Sequence, residues 1–443
     1  MKEYCAVFGV YGHRQATYLT YLGLFSLQHR GQESSGIAIY KGGEIIVYKG
    51  LGLVSQVFNK QILDYLQGEI AIGHNRYSTA GDKDLKNAQP IVFQDIAIVH
   101  NGNLRNYEEL KNLCASLNIS LETTTDSEVI LKLYAYYKNK YKNIKKALIE
   151  TFKHLKGAFS VIILDKNTMI VARDKWGFRP LVMGEKDGAY IFASETCALN
   201  VLDAKFIREV KEGEVIILNK DKIENFLYDK PQKRACIFEL IYFARPDSFI
   251  FGRNVYDVRE NMGRILARES YIDADVVVPI PDSGVISALG FSRESKIPFE
   301  WGLLRSHYMG RSFINPTQEL RDLAVRLKLS PIKSVLNGKR VVLIDDSLVR
   351  GTTAKRIINM VRKAGAKEVH LRISSPPIKH PCFYGIDTPT YEELIASKLK
   401  TQEIAKLIGA DSLAYLSIEG LLKACNANKD EFCLACFNGD YIV

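Results

Sequence analysis

No stretch of this 443-residue chain reaches the length of about 18 apolar residues that would mark a membrane span. Its first residues, MKEY, lack the apolar segment of a secretory signal. No internal repeat and no low-complexity tract appears, so the chain does not read as a repeat array. No block of interleaved arginines and aromatics marks a nucleic-acid surface. The lysine-rich "KNKYKNIKK" at 138–146 reads as a solvated helix face. A zinc ribbon would need a second C-x-x-C beside "CLAC" at 433–436, and the sequence has none. With no secretory signal, the setting is cytoplasmic, and eight cysteines there do not form a disulfide framework.

What is present is ordinary for a globular protein: 47% apolar and 25% charged residues. The length suggests about two or three domains. A net charge of +10 is compatible with nucleic acid, with phosphorylated small substrates, or with a lysine-rich surface.

The first half is rich in short strands. "SSGIAIYKG", "IIVYKG", "IAIGHNRYS", "IAIVHNGNL", "FSVIILDK", "MIVARD" and "GEVIILN" are each bounded by Gly, Asn or Asp. Helical patterns lie between them at about 15–29, 106–117, 126–140 and 143–155, the third with Thr125 or Asp126 as its N-cap. This mixture predicts layered α and β structure. After about residue 230 the pattern changes. "ADVVVPIP" and "KRVVLIDD" are continuous apolar runs, as expected of parallel strands buried on both faces. Helical segments follow at 284–292 and 352–364, and "EVHLRISSPP" gives a further strand. The second half therefore reads as a doubly wound α/β domain.

The most specific motif is "VVLIDDSLVRGTT" at 341–353. Backbone N–H groups of a turn and a helix N-terminus form an anion cradle, so Ser347 through Thr353, including Arg350, can hold a phosphate. Gly351 allows close approach, and the hydroxyls of Thr352 and Thr353 add donors. Asp345 and Asp346, at the carboxyl end of the strand, can accept bonds from vicinal ribose hydroxyls. The pattern resembles the 5-phosphoribosyl diphosphate (PRPP) signature of type I phosphoribosyltransferases. A second turn, "VVVPIPDSG", can present N–H groups and the Ser283 hydroxyl to a diphosphate and its Mg²⁺, and the resemblance adds Asp345 and Asp346 as Mg²⁺ partners. Between the two lies a cation-rich segment, 305–331. Part of it reads as an exposed basic helix, the whole as a lid over PRPP.

Cys5 has two readings. It is a small hydrophobe opening a first strand, or it is the N-terminal residue once Met1–Tyr4 are removed. Four stretches bear on the choice: "LQHRGQESSG", "GHNRYSTAG", "HNGNL" and "TTTDSE". Together with Cys5 they resemble the N-terminal-nucleophile glutamine amidotransferases. The resemblance gives Cys5 the nucleophile's role and the oxyanion hole to Asn101 and Gly102. It assigns Arg76 and Asp126 to the carboxylate and amine of glutamine. An α-amine titrating near about 8 can take the thiol proton, so none of the eight histidines is required. One position departs from the family pattern: Ala6 stands where Gly usually follows the nucleophile.

With "RDKWGFRPL", "IYFARPDS" and "SIEGL", the whole chain from Cys5 onward resembles the amidophosphoribosyltransferase family. That implies a leader (1–4), an αββα N-terminal-nucleophile glutaminase domain (5–230) and a phosphoribosyltransferase domain with a cluster-binding extension (231–443). The implied reaction opens purine synthesis: glutamine supplies ammonia, which displaces diphosphate from PRPP to give 5-phospho-β-D-ribosylamine. The family's iron–sulfur branch implies a [4Fe–4S] cluster on Cys236, Cys382, Cys433 and Cys436. Cys114, Cys197 and Cys425 read as inert. The family further implies a homo-oligomer, dimer or tetramer, with purine nucleotides as feedback inhibitors. The rival reading is a PRPP-sensing regulator that binds nucleic acid, and the intact Cys5 site argues against it. A third reading keeps both halves but changes the acceptor.

Overall fold

The computed structural model describes residues 5–77, 84–220, 222–306, 329–386 and 390–442. The leader Met1–Tyr4 and most of the expected lid, 307–328, lie outside them.

The first half is two antiparallel sheets packed face to face. One, of seven strands, carries Ala6–Tyr11, Ile70–Arg76 and Ser34–Lys41 side by side in that order. The other, of six, carries Thr168–Arg173, Gly157–Asp165 and Ile96–Leu104 as neighbours. Strand side chains alternate between faces, and the first strand shows what this does. Val7 points to the second sheet, where it joins Val99, Ile162 and Val171. Ala6, Phe8 and Val10 point the other way, against the helix Ala16–Ser26 and the short helix Cys197–Val201. The methyl of Ala6 is fully buried there. On the far side, helices Asp126–Tyr141 and Ile144–Lys153 cover the second sheet through Val129, Leu133, Leu148 and Phe152. The layers are thus α, β, β, α.

The second half is built on a parallel sheet in the order Val276–Pro279, Arg340–Asp345, Glu368–Ile373, Ser412–Tyr415. Val276, Val277, Val278, Val341, Val342 and Leu343 are all buried. Alternate residues feed two apolar clusters, one on each face. Removing each such side chain from water contributes about 1.5–3 kcal/mol. The helix Val255–Glu269, which the apolar pattern of the sequence did not single out, packs on the helix Val285–Ser295. A two-residue parallel pairing brings Phe432–Cys433 back beside Ala235–Cys236. Among the described residues no helix is long and apolar enough to cross a membrane.

Candidate functional site

Two constellations form, one at an edge of the paired sheets and one at the carboxyl end of the parallel sheet. In the first, the antiparallel register pairs Ala6 with Asn75, which brings Cys5 alongside Arg76 and Tyr77. The Cys5 Sγ lies 3.7 Å from the Tyr77 carbonyl oxygen. Arg76 ends its strand almost wholly buried. Lys49 sits near it: burial, and then the Arg76 charge, push its ammonium down to about 8. Asn101 and Gly102 lie on the strand Ile96–Leu104 of the second sheet. Gly102 adopts φ +153°, and a Cβ there would stand 2.0 Å from the Ala158 carbonyl oxygen, so no side chain fits. The Asn101 Nδ2 is buried with no hydrogen-bond partner among the described residues. A donor in that state lacks an acceptor, and an oxyanion would supply one.

Asp126 opens its helix, as the sequence indicates, but the capping detail differs. Thr125 stands at the N-cap and its side chain makes no cap bond. The Asp126 carboxylate instead accepts from the Leu104 N–H at 2.9 Å and faces His100 Nδ1 at 3.4 Å. Burial works against its charge, yet His100 and that N–H prevail and hold it below the usual carboxylate range.

The histidines are what the sequence reading left out. Gln89 Oε1 accepts from the His100 N–H at 2.6 Å, and His74 Nε2 meets the His100 carbonyl oxygen at 3.0 Å. Burial lowers His74 to about 3, so it is neutral and donates there. This buried chain ties the two sheets together behind Asp126. The signal was present, since a histidine stands just before Asn75 in "GHNRYS" and just before Asn101 in "HNGNL".

In the second constellation, Ser283, Asp345, Asp346, Ser347, Arg350, Gly351, Thr352 and Thr353 all line one cavity of about 330 Å³, with Tyr242 and Pro281 in its wall. Gly351 takes φ +74° at the N-cap of the helix Thr352–Lys363, which Cβ-bearing residues rarely adopt. Burial, and then the neighbouring Asp346, push the Asp345 carboxyl well above its usual range. Asp346 is itself buried. Two carboxylates and a serine hydroxyl at one cavity are the oxygen donors a Mg²⁺–diphosphate takes. Arg350 does line the cavity, but its guanidinium is paired with Glu393 at 2.7 Å. The two ends of the expected lid are tied by antiparallel pairing of Leu303–Arg305 with Leu329–Pro331.

The four cysteines also gather. Cys236 pairs in register with Cys433. Burial pushes the Cys236 thiol up to about 12 and raises Cys433 and Cys436 as well, with the neighbouring cysteines adding to each. None of the four is in a disulfide. Among the described residues no group of three or more His, Cys, Asp or Glu is placed to hold a single metal ion. Cys114, Cys197 and Cys425 are separately buried, and burial raises all three thiols.

Comparison with known proteins gives the same division. Residues 74–201 match the glutamine amidotransferase domain family, and 254–374 match the phosphoribosyl transferase domain family. The chain is 49% identical to the chloroplastic amidophosphoribosyltransferase 1 of Arabidopsis thaliana, over 100% of this chain and 79% of that one. It is 49% identical to the amidophosphoribosyltransferase of Methanocaldococcus jannaschii, over 99% and 97%. The solved glutamine PRPP amidotransferase of B. subtilis, complexed with ADP and GMP, superposes with a TM-score of 0.93 at 45% identity, covering 99% of this chain and 97% of that one. A second solved structure, described as the allosteric regulatory enzyme of purine biosynthesis, gives a TM-score of 0.94 at 46% identity, over 99% and 96%. At this identity and coverage the likeness extends through both constellations, and the chain belongs to the amidophosphoribosyltransferase family.

Proposed function

We infer that this chain carries out the first committed step of purine synthesis, with Cys5 releasing ammonia from glutamine and the Asp345–Thr353 loop holding PRPP. The observation that carries the reading is that the residues for each half-reaction gather at their own site within one chain. The proposed oxyanion donor Asn101 is left without a partner among the described residues of the first, and eight named residues line one cavity in the second.

Removal of Met1–Tyr4 frees the α-amine of Cys5, which takes the thiol proton. The thiolate attacks the amide carbon of glutamine, whose carboxylate pairs with Arg76 and whose amine pairs with Asp126. The oxyanion that forms accepts from Asn101 Nδ2 and the Gly102 N–H. Ammonia leaves, and water cleaves the thioester to glutamate. At the second site ammonia forms a bond to C1 of PRPP as the C1–O bond to diphosphate breaks, with inversion. Asp345 and Asp346 hold the ribose and the loop 347–353 holds the 5′-phosphate. Bound Mg²⁺, on the diphosphate beside Ser283, Asp345 and Asp346, would neutralise charge developing on the leaving group. The domains divide at 230/231.

We assign Cys236, Cys382, Cys433 and Cys436 to a [4Fe–4S] cluster. Four thiols outside any disulfide, Cys436 buried and Cys236, Cys382 and Cys433 half-buried, suit thiolate ligation. The cluster's role is structural, since neither half-reaction moves electrons. Cysteines outside any disulfide fit a cytoplasmic setting. Purine nucleotides act as feedback inhibitors, in keeping with the ADP and GMP of the B. subtilis complex, and the chain works as a homo-oligomer, dimer or tetramer.

The test is glutamate release by anaerobically purified protein, with and without PRPP and Mg²⁺. Strong stimulation by PRPP, with diphosphate formed in equal amount, is the expected result. Glutamate release indifferent to PRPP would reject the second site. If neither product forms from a chain whose mass shows Met1–Tyr4 removed, the reading fails and salt-dependent nucleic-acid binding becomes the rival to measure.

A further inference from the structure

Arg30 sits in a short helical turn, Gln28–Arg30, with no exposed surface. Its Nε–H donates to the main-chain carbonyl of Cys5 at 3.1 Å. Its Nη1 reaches Glu195 at 2.6 Å, and Nη1 and Nη2 together reach both carboxylate oxygens of Glu239 at 2.9 and 2.8 Å. All three side chains are fully buried. Burial opposes the Arg30 charge, and the two carboxylates overcome it. A bidentate carboxylate fixes the plane of a guanidinium as well as its position. Glu239 lies just beyond Cys236, in the second half of the chain.

A second arm arrives from the same side. Glu239 Oε1 also accepts from Arg179 Nη1 at 3.1 Å, and Arg179 Nη2 donates to the Tyr384 carbonyl at 3.0 Å. Tyr384 belongs to the loop Cys382–Gly385. That loop is fastened to the first half by Asn103 Nδ2 donating to the Phe383 carbonyl at 3.0 Å, and by Phe178 stacked on Tyr384 at 4.5 Å. Gly385 has φ +95°, and a Cβ built on it would stand 3.2 Å from the Gly102 carbonyl carbon and 2.9 Å from Arg179 Nη2. The loop is the wall behind the oxyanion backbone.

We propose that Glu239 and the loop Cys382–Gly385 are positioning residues for ammonia release: the second half of the chain completes the glutamine site by aiming Cys5 through Arg30 and by backing Gly102. This rests on the reading of Cys5, Asn101 and Gly102 as the glutaminase centre. The carbonyl that Arg30 holds, the amine and the Cβ that carries the thiol are all bonded to the Cys5 Cα, so the guanidinium fixes where that carbon sits. Sub-ångström misplacement of such groups lowers turnover steeply.

The two arms predict different defects. Glu239→Gln leaves one acceptor where there were two. It should lower glutamine-dependent kcat by roughly 10²-fold and slow alkylation of Cys5 by iodoacetamide, read as peptide mass, by a similar order. Glu239→Asp restores the charge and should recover part of both. Gly385→Ala presses on the Gly102 backbone. It should lower glutamine-dependent kcat by roughly 10- to 100-fold with KM for glutamine unchanged, because Arg76 and Asp126 are not displaced, and with Cys5 alkylation unchanged, because alkylation forms no oxyanion. Ammonia-dependent synthesis and Tm, measured on the same preparations, report whether the rest of the protein is intact. Wild-type glutamine kcat in both variants overturns the proposal. So does a loss of glutamine and ammonia activities in parallel with Tm, which would make the contacts structural only. Cys5→Ala run alongside separates the two readings: if it keeps glutamine-dependent activity, the glutaminase assignment itself is wrong.

Discussion

Two aspartates, one at each site, have opposite fates. Asp126 is held below the usual carboxylate range and Asp345 is pushed well above it. Burial raises both, so burial does not decide the outcome. The neighbours do: Asp126 faces His100 and the Leu104 N–H, while Asp345 stands against Asp346. At the proposed glutamine site, groups of the fold itself therefore hold the Asp126 carboxylate. The PRPP site leaves two carboxylates in mutual repulsion until a cation and ribose hydroxyls relieve them. The Asp126 carboxylate is partnered within the fold, whereas on the proposed reading Asp345 and Asp346 find their partners in the substrate.

The harshest test of that contrast is Asp345→Ala combined with Asp346→Ala. It should abolish ribosylamine formation from glutamine and from ammonia alike, a loss beyond about 10³-fold; survival of either activity would remove the PRPP assignment. Cys5→Ala should abolish the glutamine reaction while ammonia-dependent synthesis continues, and retention of both would deny Cys5 its role. Asn101→Ala should reduce glutamine-dependent kcat by roughly 10²–10³-fold with KM little changed, since it removes a donor used only in the transition state. A rise in KM alone would make it a substrate-binding group.

The smallest effect is a pH dependence. The folded state holds Asp126 below its usual value of about 3.9, so its ionised form stabilises the fold above that pH, and the stabilisation is lost as pH falls through the folded value. Urea unfolding of the native protein and of Asp126→Asn should differ by about 1 kcal/mol near pH 7, the gap closing below about pH 4. A gap that stays constant into acid would show that the Asp126 charge contributes nothing.

The legible parts of the molecule share one property: their residues are close in sequence. The loop Asp345–Thr353 brings its carboxylates, hydroxyls and glycine within one turn, and the strand ending in "HNGNL" carries Asn101 and Gly102 side by side. The apolar runs before Asp345 and around Val277 announce parallel strands because both faces of such strands are covered. Where the reading fell short, the missing partner was distant. Arg30 stood inside a stretch already singled out, yet its bidentate partner Glu239 is 209 positions away. The carboxylate of Asp126 serves the neighbouring strand at Leu104, a bond no local pattern encodes. Arg350 fits a phosphate loop by its position but is turned to Glu393, 43 residues on.

By itself, then, the sequence determined the two halves and singled out the proposed nucleophile and phosphate loop, because periodicity and short motifs act over one strand or one turn. Only the tertiary structure decided which charges are buried, which of them share a partner, and that Glu239 and Gly385 press on the glutamine site. Those outcomes depend on contacts between segments tens to hundreds of residues apart, and such contacts exist only after the chain has closed on itself.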